Sequence, residues 1–387
     1  NIPQGYKATA LGIIPQEWKT IRLKDCFSIS AGGDVQKDCF SEAPSLQYKY
    51  PIYSNSLFNH GLYGFTSHPR HKANSITITG RGALGHAEYR EIDFDAIVRL
   101  LVLAPKIPLN GQYITEYINF RKPFFYESTG VPQLTAPQIA NIQVLFPPLG
   151  EQRKIAEVLG VWDEAIEKQA RLIEKLALRK RGLMQRLLSA KLRLPGFSEP
   201  WKIHKLQELF TERNETNRTD LPLLSITGDR GVILQTESKK RDTSNDDKSK
   251  YKRIAKGDIG YNTMRMWQGR SALSGLEGIV SPAYTIVVPN TDVDGYYMSV
   301  LFKQPRLIYD FWTHSQGLVG DTLNCKYRDF GQVHICCPPL AEQKAITEVL
   351  TAADREIELA KEKLERLRRQ KRGLMQQLLT GKRRIKY

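Results

Sequence analysis

The sequence predicts an α+β protein in which two globular blocks alternate with two long, mutually repeated helices paired as a coiled coil. Three observations carry this expectation. The stretch Pro147 to Lys191 recurs near the end, from Pro338, at an offset of 191 (338 minus 147), without a gap and with about half its residues identical. Both copies carry a heptad stripe. The two intervening blocks differ in sequence but repeat one plan. A duplication this long decides architecture before any local signal does.

The first copy opens Pro147-Pro148-Leu149-Gly150-Glu151-Gln152 and runs to Lys180-Arg181-Gly182-Leu183-Met184-Gln185; the second opens Pro338-Pro339-Leu340-Ala341-Glu342-Gln343 and runs to Lys371-Arg372-Gly373-Leu374-Met375-Gln376. In the first, Ile155, Leu159, Trp162, Ile166, Gln169, Ile173, Leu176, Lys180, Leu183 and Leu187 alternate spacings of four and three. In the second, Ile346, Leu350, Ala353, Ile357, Ala360, Leu364, Leu367, Lys371, Leu374 and Leu378 keep the same register. A seam of this period belongs to a coiled coil, because a lone helix would leave the stripe in water. Pairing of the two repeats within the chain is the favoured reading; pairing with another protein is the rival.

The boundaries fall at 1–146, 147–193, 194–337 and 338–387. Block one opens on Pro15-Gln16-Glu17-Trp18-Lys19 with Leu23 and Phe27 following, a cadence that returns at Pro200-Trp201-Lys202 with Leu206 and Phe210. Strand-like runs come next at Tyr50 to Tyr53, Ser75 to Thr79, Ala96 to Leu103 and Ile142 to Phe146, with a helix over Tyr113 to Phe120 before Pro123. The first long helix begins after Pro147-Pro148, where proline suits a helix entrance and Glu151 suits the positive dipole end. It stops near Ser189-Ala190. In block two, Glu237 to Arg253 is charge-dense and reads as an exposed loop. Ala283 to Val288 reads as a strand, Tyr297 to Phe302 and Leu307 to Phe311 as helices. The second long helix ends at Thr380-Gly381.

Charge narrows the class. A net charge of +16 on 387 residues and a pI near 9.5 point to a polyanionic partner, most simply nucleic acid; a generically basic surface is the alternative. No run approaches the length of a membrane span, and no signal peptide is visible at Asn1-Ile2-Pro3-Gln4; the absent initiator Met suggests a trimmed start. The five cysteines, Cys26, Cys39, Cys325, Cys336 and Cys337, lack metal or disulfide spacing and fit reduced thiols of a cytoplasmic protein.

No catalytic constellation emerges. Gly80-Arg81-Gly82-Ala83-Leu84-Gly85 matches GxGxxG, but the residues beyond it carry no amphipathic helix pattern and no second βαβ unit, so a glycine-rich turn exposing Arg81 is the better reading. Asp220 with Glu237-Ser238-Lys239 is too loose for a nuclease set. His68 and His71 lack metal partners. The Pro-Pro runs lack the amide and aromatic residue that an adenine methyltransferase uses to hold a flipped base. Binding chemistry remains. Block one offers Tyr53, Asn55, Tyr63, Thr66, Arg70, Arg81 and Ser128; block two offers Arg230, Asn262, Arg265, Trp267, Gln268, Arg270 and Ser315. Arg and Asn or Gln read guanine and adenine edges bidentately, and Lys239, Lys240 and Arg241 suit phosphates. The DNA-binding candidates are Tyr63, Arg70, Arg81, Ser128, Arg230, Lys239, Lys240, Arg241, Asn262, Arg265, Gln268 and Arg270. An ordinary solvated surface is the competing account of each.

Two unlike blocks, each followed by a Pro-Pro-Leu-x-Glu-Gln helix ending Lys-Arg-Gly-Leu-Met-Gln, resemble the DNA specificity subunit of type I restriction-modification systems. Gly257-Asp258-Ile259-Gly260-Tyr261-Asn262 and Gly278-Ile279-Val280-Ser281-Pro282-Ala283-Tyr284 fit the same family. The resemblance covers nearly the whole chain. It implies two target recognition domains, each reading half of a bipartite, asymmetric double-stranded DNA site, and two antiparallel helices that set the spacing. It also implies docking of two methyltransferase subunits and, in the full complex, motor-nuclease subunits. S-adenosylmethionine, ATP and Mg then belong to those partners, and the chain itself carries no cofactor, metal or catalytic site. Trp162, Ile166, Gly182, Leu183, Met184, Ile357, Leu364, Gly373, Leu374 and Met375 are the spacer and docking candidates. Glycine inside a helix costs ~1 kcal/mol against alanine, so Gly182 and Gly373 predict a close backbone approach or a bend. The alternatives are a coiled-coil DNA-binding regulator or scaffold without restriction partners, and a stand-alone nuclease or methyltransferase.

Overall fold

The computed structural model describes residues 2–122, 132–228, 230–238, 245–317 and 322–386. Ser128, Lys239, Lys240 and Arg241 lie outside the described residues. Two compact units form: Asn1–Arg171 with Glu362–Tyr387, and Leu172–Lys361. Each joins one block to half of each long helix. Those helices, Leu149–Leu187 and Leu340–Leu378, have 39 residues each, about 58 Å at 1.5 Å per residue.

In unit 1 a four-stranded antiparallel sheet runs in the order Phe27–Ala31, Leu101–Pro105, Ser75–Ile78, Ala87–Arg90. Lys19–Arg22 pairs separately with Gln143–Phe146. Unit 2 repeats both features. Its sheet runs Phe210–Glu212, Tyr284–Pro289, Ile259–Asn262, Ser271–Leu273, and Lys202–Lys205 pairs with His334–Cys337. The helices Gly111–Arg121 and Gly295–Leu301 are N-capped by the side chains of Asn110 and Asp294, which accept from Tyr113 and Tyr297. The units differ beyond this frame. Unit 1 adds a sheet of Asp95–Ala96, Tyr50–Tyr53, Leu62–Thr66 and Phe40–Ser41, whereas unit 2 adds the hairpin Leu224–Thr227 with Gly231–Leu234 and the pair Lys252–Ile254 with Gly278–Val280.

One expected strand is split. The run Ala96 to Leu103 breaks into Asp95–Ala96 and Leu101–Pro105, because Val98 and Arg99 turn the chain at φ 52° and 59°. The amides of those two residues donate to the Gly33 and Gly32 carbonyls, which fixes the corner despite the strain on a β-branched valine.

A buried clasp explains why the Glu-Gln of both helix starts and the tryptophan of both lead-ins recur. Glu151, fully buried, accepts from Trp18 Nε1 at 2.9 Å and from Arg384 at 2.7 and 2.9 Å. In unit 2, Glu342 accepts from Trp201 Nε1 at 3.1 Å and from Arg193 at 2.6 and 2.8 Å. Gln152 and Gln343 bind the Pro147 and Pro338 carbonyls and accept from the Asn110 and Asp294 amides. A charge so buried is tolerable only when paired and hydrogen-bonded. The arginine follows one long helix while the glutamate begins the other, so the clasp joins opposite helix ends within each unit.

The helix segments of each unit are antiparallel. Unit 1 joins Lys371 to Asp163 and Arg384 to Glu151; unit 2 joins Lys180 to Asp354 and Arg179 to Glu356. Ile155, Leu159 and Leu378 enter the core around Trp18, Phe27 and Tyr113, and Leu187, Ile346 and Leu350 enter the core around Phe210, Tyr297 and Phe330. The heptad stripe is thus shared between the paired helices and the sheets beneath them.

Candidate nucleic-acid interface

The predicted residues converge in unit 2. Asn262, Arg265, Gln268 and Arg270 line one polar cleft of about 410 Å³ with Thr227 and Tyr284. Asn262 ends the strand Ile259–Asn262, and the others lie on the loop Thr263 to Arg270 that leads to Ser271–Leu273. Its backbone is self-supporting. Met264 N–H donates to Asn262 Oδ1 at 3.0 Å, Gln268 N–H to the Arg265 carbonyl at 2.9 Å, and Gly269 N–H to the Met266 carbonyl at 2.8 Å, while Thr263 Oγ1 donates to the Ala283 carbonyl at 3.0 Å. Met266 anchors the loop in the core, leaving Arg265, Gln268 and Arg270 exposed. Among the described residues no carboxylate lines this cleft. Arg230 sits on the neighbouring turn, its guanidinium donating to the Glu237 carbonyl at 3.2 Å.

Thr263 and Thr285 line a second cleft of about 500 Å³ with Lys252, Lys326 and Arg328. Glu212 also lines it and lies 3.7 Å from Lys252. Sequence reading missed these cations, which are scattered over 77 positions (328 minus 252, plus one) with no local cluster to mark them.

Unit 1 does not gather its candidates into one cleft. Arg70 is committed to Asp95, with Nε–Oδ1 2.7 Å and Nη2–Oδ2 2.9 Å, and also donates to the Asp34 carbonyl. Asn55 spans the Val98 carbonyl and the Gly80 amide. Tyr63 is 54% exposed beside Phe40. Arg81 is exposed on the turn after Ser75–Ile78, donating to Gln133 Oε1 at 3.3 Å. The chain then enters the strand Ala87–Arg90, not a helix, so the GxGxxG match lacks its dinucleotide setting.

Arg81 and Arg265 occupy equivalent places. Each lies third in an eight-residue loop, Thr79 to His86 and Thr263 to Arg270, connecting the third and fourth strands in the order of its sheet. Both loops open on threonine, and the offset is the same 184 that relates the caps Asn110 and Asp294 (265 minus 81, 294 minus 110).

Along the long helices, Leu183 and Met184 pack on the unit 2 core, and Leu374 and Met375 on the unit 1 core. Leu364 is buried, while Trp162, Ile166 and Ile357 are half-buried. No close approach occurs at the glycines: a Cβ on Gly182 or Gly373 would meet nothing within 4 Å, and both helices continue through them. Val161, Leu172, Leu178 and Leu359 are exposed apolar residues off the seam. Lys371 sits between Asp163, at 2.6 and 2.7 Å, and Glu116, at 3.0 and 3.1 Å. Burial and the neighbouring Asp163 outweigh the ammonium and push the Glu116 carboxyl up to about 7. All five cysteines are free thiols, and burial pushes Cys26 and Cys337 up to about 11. Among the described residues no group of three His, Cys, Asp or Glu is arranged to hold a metal, and no helix is long and apolar enough to cross a membrane.

The architecture defines a duplicated α+β protein, each unit built on an antiparallel pair of helix segments. Residues 15–177 match the type I restriction modification DNA specificity domain. The chain is 25% identical to a putative type I restriction enzyme specificity subunit (MjaX) of Methanocaldococcus jannaschii, over 99% of this chain and 97% of that one. It is 33% identical to a putative type I specificity subunit of Mycoplasma pneumoniae, though over only 37% of this chain and 39% of the relative's length. The crystal structure of a type I restriction-modification S subunit from M. genitalium shares the fold, with a TM-score of 0.59 at 15% identity over 94% of this chain and 96% of that one. Residues 15–177 thus carry the type I DNA specificity domain, and along nearly its whole length the chain is similar to type I specificity subunits.

Proposed function

We propose that the chain reads a bipartite, asymmetric double-stranded DNA site and directs partner subunits to it. Residues 1–146 and 194–337 serve as the recognition domains, and 147–193 and 338–387 as the spacer that fixes the distance between half-sites and docks two methyltransferase subunits. Motor-nuclease subunits complete the assembly, and S-adenosylmethionine, ATP and Mg belong to those partners, in the cytoplasm.

One observation carries the reading: two units repeat strand order and clasp while differing in the side chains they present. One geometry can then read two different sequences. The excess of positive charge supports a polyanionic ligand. The unlike units disfavour a homodimeric regulator on palindromic DNA, whose symmetry would call for identical readers.

Co-expression with the methyltransferase of the same system tests the proposal. The expected product is a complex of two methyltransferase copies per chain that methylates adenine at one split motif. Failure to bind any such partner, or methylation independent of sequence, overturns it.

A further inference from the structure

Resting on that reading, we infer that the loops Thr79 to His86 and Thr263 to Arg270 are the equivalent base-reading loops of the two units, with Arg81 and Arg265 each setting specificity in a different half-site. The two loops share the pattern Thr-x-Arg-x-x-x-Gly, and the strand order sets them in equivalent places. Each has eight residues, opens on threonine, joins the same two strands and carries arginine third.

Both loops are braced by their own units. In unit 1, Thr79 Oγ1 accepts from His86 N–H at 2.9 Å, Gly80 N–H donates to Asn55 Oδ1 at 2.7 Å, and the Gly80 carbonyl accepts from Leu134 N–H at 2.9 Å. In unit 2 the bonds around Asn262, Thr263 and Arg265 do the same work. Bracing matters because a reading group ordered before binding loses less entropy on binding. The arginines project from these frames as exposed side chains. A planar guanidinium with a fixed donor fork matches the O6 and N7 acceptors of guanine in the major groove. In unit 2, Asn262 and Gln268 flank that arginine in the same cleft, adding amides that can pair with adenine. The surroundings of Arg81 are glycine-rich, so a base edge can approach its loop closely.

The test selects duplexes from a randomised pool with the full-length chain, as wild type, Arg81→Ala and Arg265→Ala. The wild type should enrich one split motif. Arg81→Ala should lose preference at one or two positions of one half by about 10- to 100-fold, and Arg265→Ala should do so in the other half only. Spacer length and the remaining positions should stay as in wild type, and unchanged melting curves would show that both variants fold. Arg→Lys at either position should also fail to restore preference, because an ammonium lacks the fork. If either variant keeps the full motif while binding every duplex more weakly, that arginine contacts phosphate and the inference is overturned. It is equally overturned if both variants alter the same half. A wild type that enriches no split motif defeats the proposed function itself, before any variant is compared.

Discussion

Lys371 Nζ lies 2.6 Å from Asp163 Oδ1, and the equivalent pair in unit 2 joins Lys180, 191 residues before Lys371, to Asp354, 191 residues after Asp163 (371 minus 180; 354 minus 163). The two contacts are not chemically equal. Lys371 also faces Glu116, whereas Asp354 accepts from Tyr296. Unit 1 therefore places two carboxylates on one ammonium, and unit 2 places one carboxylate between an ammonium and a phenol.

This difference predicts a pH dependence confined to unit 1. The Glu116 carboxyl is raised from 4.5 to about 7 in the fold, by burial first and then by Asp163 against the opposing pull of Lys371. Between those values the folded state binds more protons than the unfolded one. Stability from this group is therefore present below about pH 4.5 and lost as pH rises through 7. Glu116→Gln should flatten that slope in denaturant titrations across the window, while Tyr296→Phe should leave it in place.

Removing the ammonium should cost more than removing either acid. Lys371→Met leaves Asp163 and Glu116 facing each other with no counter-charge, and breaking a buried ionic cluster costs about 3–5 kcal/mol; partial exposure of Asp163 reduces this here to about 2 kcal/mol. Chemical denaturation at pH 8 should show the loss, and lowering the pH to 5.5 should recover part of it as Glu116 protonates.

The clasps should fail one unit at a time. Arg384→Ala leaves the fully buried Glu151 carboxylate, among the described residues, with the Trp18 indole as its remaining side-chain donor, and should destabilise unit 1 by about 3 kcal/mol or more. Arg193→Ala should do the same to unit 2. Hydrogen exchange resolves the two: protection should fall around Tyr113 in the first variant and around Tyr297 in the second. A uniform loss would mean the units do not open separately.

Open space around Gly182 and Gly373 gives alanine substitution a two-part expectation. Within the chain a methyl group meets nothing, so Gly182→Ala with Gly373→Ala should raise stability by about 1 kcal/mol per site. If the glycines are kept for close approach by a methyltransferase, the same double variant should bind that partner more weakly. Melting and co-purification measure the two effects. Higher stability with unchanged assembly removes the docking role.

The cleft holding Lys326 and Arg328 should act on phosphates rather than bases. Lys326→Ala with Arg328→Ala should weaken DNA binding alike for matched and mismatched duplexes. It should also flatten the dependence of log affinity on log salt by about 2, one for each phosphate no longer neutralised. A change in the preferred motif would argue against that role.

The duplication, the heptad register and the helix limits were legible because periodicity and proline punctuation are local signals. Residues meeting through the fold were less so. Glu151 stood out only as an acidic residue at a helix start, since its partner Arg384 lies 233 residues away. Arg81 and Arg265 share only a sparse Thr-x-Arg-x-x-x-Gly pattern at an offset of 184 (265 minus 81), different from the 191 of the helix repeat, and the strand order is what shows them to be counterparts. Arg70 appeared as a surface reader, although Asp95, 25 residues on, holds its guanidinium. The strand from Ala96 broke at Val98, where apolar composition outweighed any turn signal.

The clasp of unit 1 also sets an order of assembly during synthesis. Trp18 and Glu151 are translated before any of unit 2, while Arg384 and the helix segment from Glu362 follow the whole of it. Until then unit 1 lacks the arginine that pairs Glu151 and part of its core, whereas unit 2 is complete once Lys361 emerges. A message cut short between Glu362 and Arg384 would yield a chain with one finished unit and one unfinished. Both units are finished only in a chain translated through Arg384.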